Sequence, residues 1–294
     1  MKKLLLLSAF LIIAVVAIIS CGKQVDTYSE ESIDQYYTAQ VGKFIRYRLD
    51  SLKFTAFGAR DTTIYYEAKD VVESANVDNS GRAGWTVVRY LRDTLGLTPW
   101  RATMTYVVTP TREALEVVEE NFRFEKMKLP VKDGISWKGN KYISLNSSDP
   151  NWNYDYFFDW NYTYENTGLP FPIFNGELVQ NTVTVNQVDE TLGNPADNKS
   201  YSERTFGKEV YAKDIGLVYR EFMHYTYQVF YVTANCYYTK CVNNVCDTIF
   251  CNASPIRCDS VSIMSDWKKT CRDSVITNSY YEGAGIRLTM IDHN

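Results

Sequence analysis

Residues 152–164 read WNYDYFFDWNYTY, with an aromatic ring at every even position: Trp152, Tyr154, Tyr156, Phe158, Trp160, Tyr162 and Tyr164. The odd positions carry Asn153, Asp155, Phe157, Asp159, Asn161 and Thr163. Successive side chains of a strand point to opposite faces, so a period of two gathers all seven rings on one side. A helix would spread them around its circumference. The pattern predicts a strand over 152–164 whose aromatic face must be covered, either by the protein's own core or by a ligand.

The rest of the chain supplies strands to carry it. Residues 43–52 place Ile45, Tyr47 and Leu49 on one face and Arg46 and Arg48 on the other. A second strand is expected at 63–74, and a hairpin from 85–93 and 100–109 around Leu95-Gly96-Leu97. Residues 111–121 admit a helix start, but Leu115, Val117 and Val118 followed by Phe122 and Phe124 favour two short strands. Turns are expected at 132–134 and 137–140, with a strand at 142–145. Further strands follow at 182–189, then at 209–221 with a tight turn at Gly216, running on through the Tyr-rich 224–231, and finally at 283–291. Together with 23 tyrosines, this predicts a mainly β fold: an antiparallel curved sheet or half-barrel-like single domain over 41–294, carrying a disulfide-rich insertion at about 233–279.

The first residues read as a targeting segment. Lys2 and Lys3 precede an apolar run over 4–19 that is short for a membrane span and ends at Ser20, Cys21 and Gly22, as signal peptides do. The alternative to a lipoprotein signal is an ordinary secretory signal with an incidental cysteine. Ile18-Ile19-Ser20-Cys21 resembles a bacterial lipobox. That resemblance implies cleavage before Cys21, acylation of its thiol, and anchoring by several acyl chains. Residues 1–20 are then a signal peptide and 21–40 a lipidated polar tether, with a helical turn at 33–37.

Beyond Cys21, all cysteines fall in one stretch: Cys236, Cys241, Cys246, Cys251, Cys258 and Cys271. An exported chain meets an oxidising compartment, so three disulfides are expected, in one of fifteen pairings. Zinc fits less well, because C-x4-C spacing is looser than a C-x2-C knuckle and no His lies within the cluster.

Charge and composition exclude several chemistries. A net charge of −4 argues against nucleic acid, and only two histidines, His224 and His293, argue against a His-based triad or metal centre. Asp155 and Asp159 share the polar face of the aromatic strand, but four positions along a strand separate them by roughly 13 Å, unsuited to a glycosidase pair. Asp149, Asn151, Asn153 and Asp155 begin like a calcium loop, yet Tyr154 and Trp160 stand where an EF-hand needs Gly and Glu. Glu119 and Glu120 point to opposite faces. There is no GxSxG, P-loop or GxGxxG, and His224 reads as a packed or hydrogen-bonded side chain. No catalytic residue, metal or cofactor is assigned.

Three segments, 119–140, 182–189 and 209–228, together resemble a family of outer-membrane lipoproteins of Bacteroidetes-type bacteria. Residues 211–218 (YAKDIGLV) are similar to a hairpin of exported half-barrel lipoproteins. The resemblance implies a cell-envelope location and a fold, with no activity to carry over. Asp followed by Ser or Thr and then an apolar residue or Thr is similar to the O-glycosylation acceptor of such envelope proteins. It makes Ser51, Thr62, Thr94, Thr248, Ser260 and Ser274 candidates; the alternative is that these residues mark strand ends and turns.

The expected function is a non-enzymatic, lipid-anchored envelope protein with a structural or protein-interaction role, its partners being the membrane and other envelope proteins. The alternative is a binding module or carrier that offers Trp152, Tyr154, Tyr156, Trp160 and Tyr162 to a glycan, peptide or acyl chain. Exposure of the rings separates the two.

Overall fold

The structure is a computed structural model of the chain. It describes residues 31–78, 80–143, 157, 159–195, 197, 199–229, 231–232, 236–250, 268–271, 275–276 and 279–294. A compact unit runs over Ser32–Asn294. It begins with a 3-10 turn, Ile33–Gln35, whose N-terminus is capped by the Ser32 hydroxyl. Ile33 and Tyr36, within the stretch read as a tether, are buried.

Nineteen strands are described. Those before the aromatic segment are β1 (Phe44–Thr55), β2 (Arg60–Val77), β3 (Ala83–Asp93), β4 (Arg101–Pro110), β5 (Ala114–Glu119), β6 (Phe122–Lys128) and β7 (Ser136–Lys138). Next come β8 (Asn161–Glu165), β9 (Phe171–Pro172), β10 (Leu178–Val179), β11 (Thr182–Leu192), β12 (Ser202–Ala212) and β13 (Gly216–Gln228). The remainder are β14 (Tyr231–Val232), β15 (Cys236–Val242), β16 (Val245–Phe250), β17 (Lys268–Cys271), β18 (Val275–Ile276) and β19 (Tyr280–His293).

Twelve of them form one antiparallel sheet in the order β6-β5-β4-β3-β2-β1-β19-β13-β12-β11-β8-β7. Its two ends meet. Glu125 N donates to Gly139 O at 2.8 Å, Trp137 Nε1 donates to Glu125 O at 2.8 Å, and the Tyr164 hydroxyl bonds both Lys128 N and Lys128 O. The sheet is thereby nearly closed and barrel-like, which removes the exposed edges that an open sheet would leave. A three-stranded sheet, β16-β15-β17, and two two-stranded pairs complete the described residues.

The period-two readings hold over most of this barrel. Tyr47 and Leu49 of β1 are buried, β3 and β4 form the expected hairpin, and residues 114–128 are two strands. In the β12–β13 hairpin Gly216 takes φ +115° and Asp214 φ +65°. Two sequence expectations are corrected. Residues 137–140 were expected to bend, but Trp137 is the centre of β7; the turn follows it, and Tyr142 lies in a turn and not in a strand. The aromatic strand is also shorter than 152–164. Residues 152–156 lie outside the described residues, and the ladder starts only at Asn161. Asp159, at φ +62°, takes the left-handed conformation that breaks an extended run.

The larger buried cluster joins Val87, Val108, Leu115 and Met127 to Trp137, Trp160, Tyr162, Tyr164, Val183 and Val185. A second includes Tyr47, Leu49, Ala68, Val210, Leu288 and Met290. Trp160 and Tyr162 of the larger cluster also line the cavity described next.

Candidate ligand-binding site

Inward-facing residues of β6, β8, β11 and β13 surround a cavity of about 210 Å³. Its walls are aromatic. Phe157 is the hub, with its ring centroid 5.1 Å from Trp160, 5.5 Å from Phe222 in a stacked arrangement, 6.0 Å from Phe124 and 6.3 Å from Phe122. Met104 and Ile286 add apolar surface, and Glu120 and Ala284 are exposed at the rim. Trp160 and Tyr162 are buried, so they form a wall and not an open platform.

The turn after β7 sets this wall. A Cβ on Gly139 would lie 2.4 Å from the Tyr162 ring, so only glycine admits the ring there. The neighbouring Asn140, itself buried, donates to Phe157 O and accepts from the Tyr162 hydroxyl at 2.8 Å. One amide side chain therefore ties the backbone of the hub residue to the β8 tyrosine.

Charged groups lie beneath the rings. Arg220 of β13 grips Glu119 of β5 end-on, with both Nη groups at 2.8 Å from the carboxylate. Lys126 Nζ of β6 donates to Glu209 Oε1 of β12 at 2.8 Å and stands 3.6 Å from Glu119. Tyr211 completes the group by donating to Glu209 at 2.8 Å. Burial opposes ionisation of Glu119, but the charges of Arg220 and Lys126 outweigh it and hold that carboxyl well below the usual range. Burial likewise works against charged Arg220, and Glu119 and Glu209 override it, pushing its pKa up. Burial, reinforced by Glu209, raises the Tyr211 and Tyr162 hydroxyls well above theirs, so both stay protonated.

Two of the polar residues reach the interior through β-bulges. In the β5–β6 ladder the register passes from Leu115↔Met127 to Glu116↔Glu125, leaving Lys126 as the extra residue. In the β11–β12 ladder it passes from Asn186↔Lys208 to Val188↔Gly207, leaving Gln187. A bulge re-aims its extra side chain, and here both face the cavity.

The sequence candidates are distributed as follows. Trp160 and Tyr162 belong to the cavity, whereas Trp152, Tyr154, Tyr156 and Asp155 lie outside the described residues, as do Cys21, Cys251, Cys258, Ser260 and Ser274. Cys241 and Cys246 form a disulfide, and Cys236 is the backbone register partner of Cys271. Ser51 is half-buried on β1, Thr62 is exposed on β2, Thr94 is exposed in the β3–β4 turn, and Thr248 lies on β16. Asp159 pairs with Lys138 at the surface at 3.0 Å, and His224 Nδ1 lies 2.9 Å from Thr205 Oγ1. Among the described residues no group of three or more His, Cys, Asp or Glu is placed to hold a metal ion.

Sequence reasoning set Glu119 aside as half of a non-cooperating acid pair and missed Lys126, Gln187, Glu209 and Arg220. For two of them a signal existed: Glu209 shares strand parity with Tyr211, and Arg220 with Phe222, so a charge falls on an inward aromatic face. Comparison with known protein families, curated proteins and solved structures found no match to this chain.

Proposed function

We propose that this is a lipid-anchored protein of the bacterial cell envelope whose barrel binds a small, largely apolar ligand. The lipobox-like Ile18–Cys21 segment supports the anchor, and the aromatic cavity over a charged floor supports the binding role. A purely structural or protein-interaction role would use the outer surface and leave that cavity unexplained.

Size narrows the ligand. The cavity measures about 210 Å³, below the roughly 300–1,000 Å³ of sites for drug-sized ligands and above the roughly 150 Å³ that holds benzene. A single ring or the end of a chain fits, and a whole acyl chain or an oligosaccharide does not. Fluorine NMR of the full chain in lipid nanodiscs, with empty discs as blank, tests this using para-fluorotoluene. Saturable binding is expected, abolished by Ala284→Trp, which places an indole at the rim. Absence of saturable binding, or binding untouched by that substitution, would refute the reading.

A further inference from the structure

Two residues of the cavity lining carry hydrogen-bond donors that the protein does not satisfy, each closed off just behind the cavity wall. Gln187 is only 4% exposed, and its Nε2 has no hydrogen-bond partner among the described residues. Arg220 commits both Nη groups to Glu119; its buried Nε has no hydrogen bond, with Glu209 Oε1 3.6 Å away. An unpaired donor shielded from water destabilises a fold, yet Gln187 is held in place by its surroundings. The bulge turns it inward, and Gly207 opposite leaves it room: a Cβ there would come within 3.1 Å of Gln187 Oε1 and 3.3 Å of its Cβ.

Resting on the binding role above, we propose that an entering ligand opens the wall at Gln187 Nε2 and Arg220 Nε, and that these donors receive the carbonyl oxygen of an uncharged, ring-bearing ligand whose apolar body lies among Phe157, Trp160 and Phe222. Arg220 Nε can only donate, so the ligand must accept. The ligand is uncharged because the floor is already balanced. Arg220 and Lys126 face Glu119 and Glu209, and the neighbouring Arg89 is matched by Asp70 through two hydrogen bonds. A carboxylate would enter as an unmatched buried charge, whereas a ketone or amide brings an acceptor without one.

The nanodisc experiment extends to para-fluorobenzamide and para-fluorobenzoate beside para-fluorotoluene. Benzamide is expected to bind on the order of tenfold more tightly than toluene, and benzoate no more tightly than toluene. Gln187→Leu should remove most of the benzamide advantage, read as the ratio of para-fluorobenzamide to para-fluorotoluene affinity within the same variant. Equal affinities of benzamide and toluene for the unaltered chain would overturn the donor proposal and leave the binding role standing. Benzoate binding tightest would overturn the uncharged ligand class. If none of the three bound, the binding role itself would fall and this proposal with it.

Discussion

Replacing Arg220 with Met tests how the cavity floor is held. The side chain keeps its reach and apolar stem but loses the fork at 2.8 Å from Glu119 and the charge 3.6 Å from Glu209. Lys126 then faces both carboxylates alone. The orphaned carboxyl has two courses. Remaining ionised costs about 3–5 kcal/mol, as when a buried pair loses one member. Taking a proton instead costs about 1.4 kcal/mol per pH unit above an ordinary glutamate pKa of ~4.3, hence about 3.7 kcal/mol near pH 7. The cheaper course sets the ceiling, so Arg220→Met should lose about 3–4 kcal/mol near pH 7. Near pH 5 the protonation route costs only about 1 kcal/mol, so most of the loss should disappear there. Urea unfolding followed by near-ultraviolet circular dichroism at both pH values measures this. The double variant Glu119→Leu/Arg220→Met, which restores the charge balance, should return to within about 1 kcal/mol of the unaltered chain. A loss below about 1 kcal/mol near pH 7, or a double variant as unstable as the single, would refute a balanced buried network.

Other outcomes follow from the same geometry. The folded-state pKa of Glu119 is depressed, so its ionised form contributes stability in full above the ordinary carboxylate range and loses it as pH falls toward the depressed folded value; the difference in unfolding midpoint between the unaltered chain and Glu119→Gln should hold from neutrality down to about pH 5 and begin to shrink only below about pH 4. Gly139→Ala drives a methyl into the Tyr162 ring and should cost about 1–3 kcal/mol in urea unfolding, with loss of para-fluorotoluene binding. Gln187→Leu removes an unsatisfied donor and should leave the urea midpoint unchanged or raised while benzamide binding weakens. Cys241→Ser/Cys246→Ser opens a link within β15–β16, which form no ladder with the twelve-stranded sheet; barrel unfolding should move by less than about 0.5 kcal/mol.

The barrel was legible wherever a strand kept strict alternation: Ile45–Tyr47–Leu49, the β3–β4 arms and the turn at Gly216 all fall where period two and turn chemistry put them. The site was legible only as aromatic excess. Trp160 and Tyr162 were singled out, but Phe157, at an odd position, was read as facing away from them. The Asp159 backbone, at φ +62°, breaks the alternation and allows Phe157 to join Trp160 and Phe222. Lys126 and Gln187 were hidden for a related reason, since each is a bulge residue and a bulge shifts the parity on which such readings depend. The ion pairs join residues 101 and 83 positions apart; local pattern holds no record of such distances, although Glu209 beside Tyr211 and Arg220 beside Phe222 hinted at an inward charge.

The most direct test is a crystal structure of the chain with para-bromoacetophenone, whose bromine locates the ring by anomalous scattering. The ring should lie among Phe157, Trp160 and Phe222, with the carbonyl oxygen roughly 3 Å from Gln187 Nε2 and Arg220 Nε. Bromine found only outside the barrel, with Phe157 and Phe222 closed over the cavity, would contradict the account.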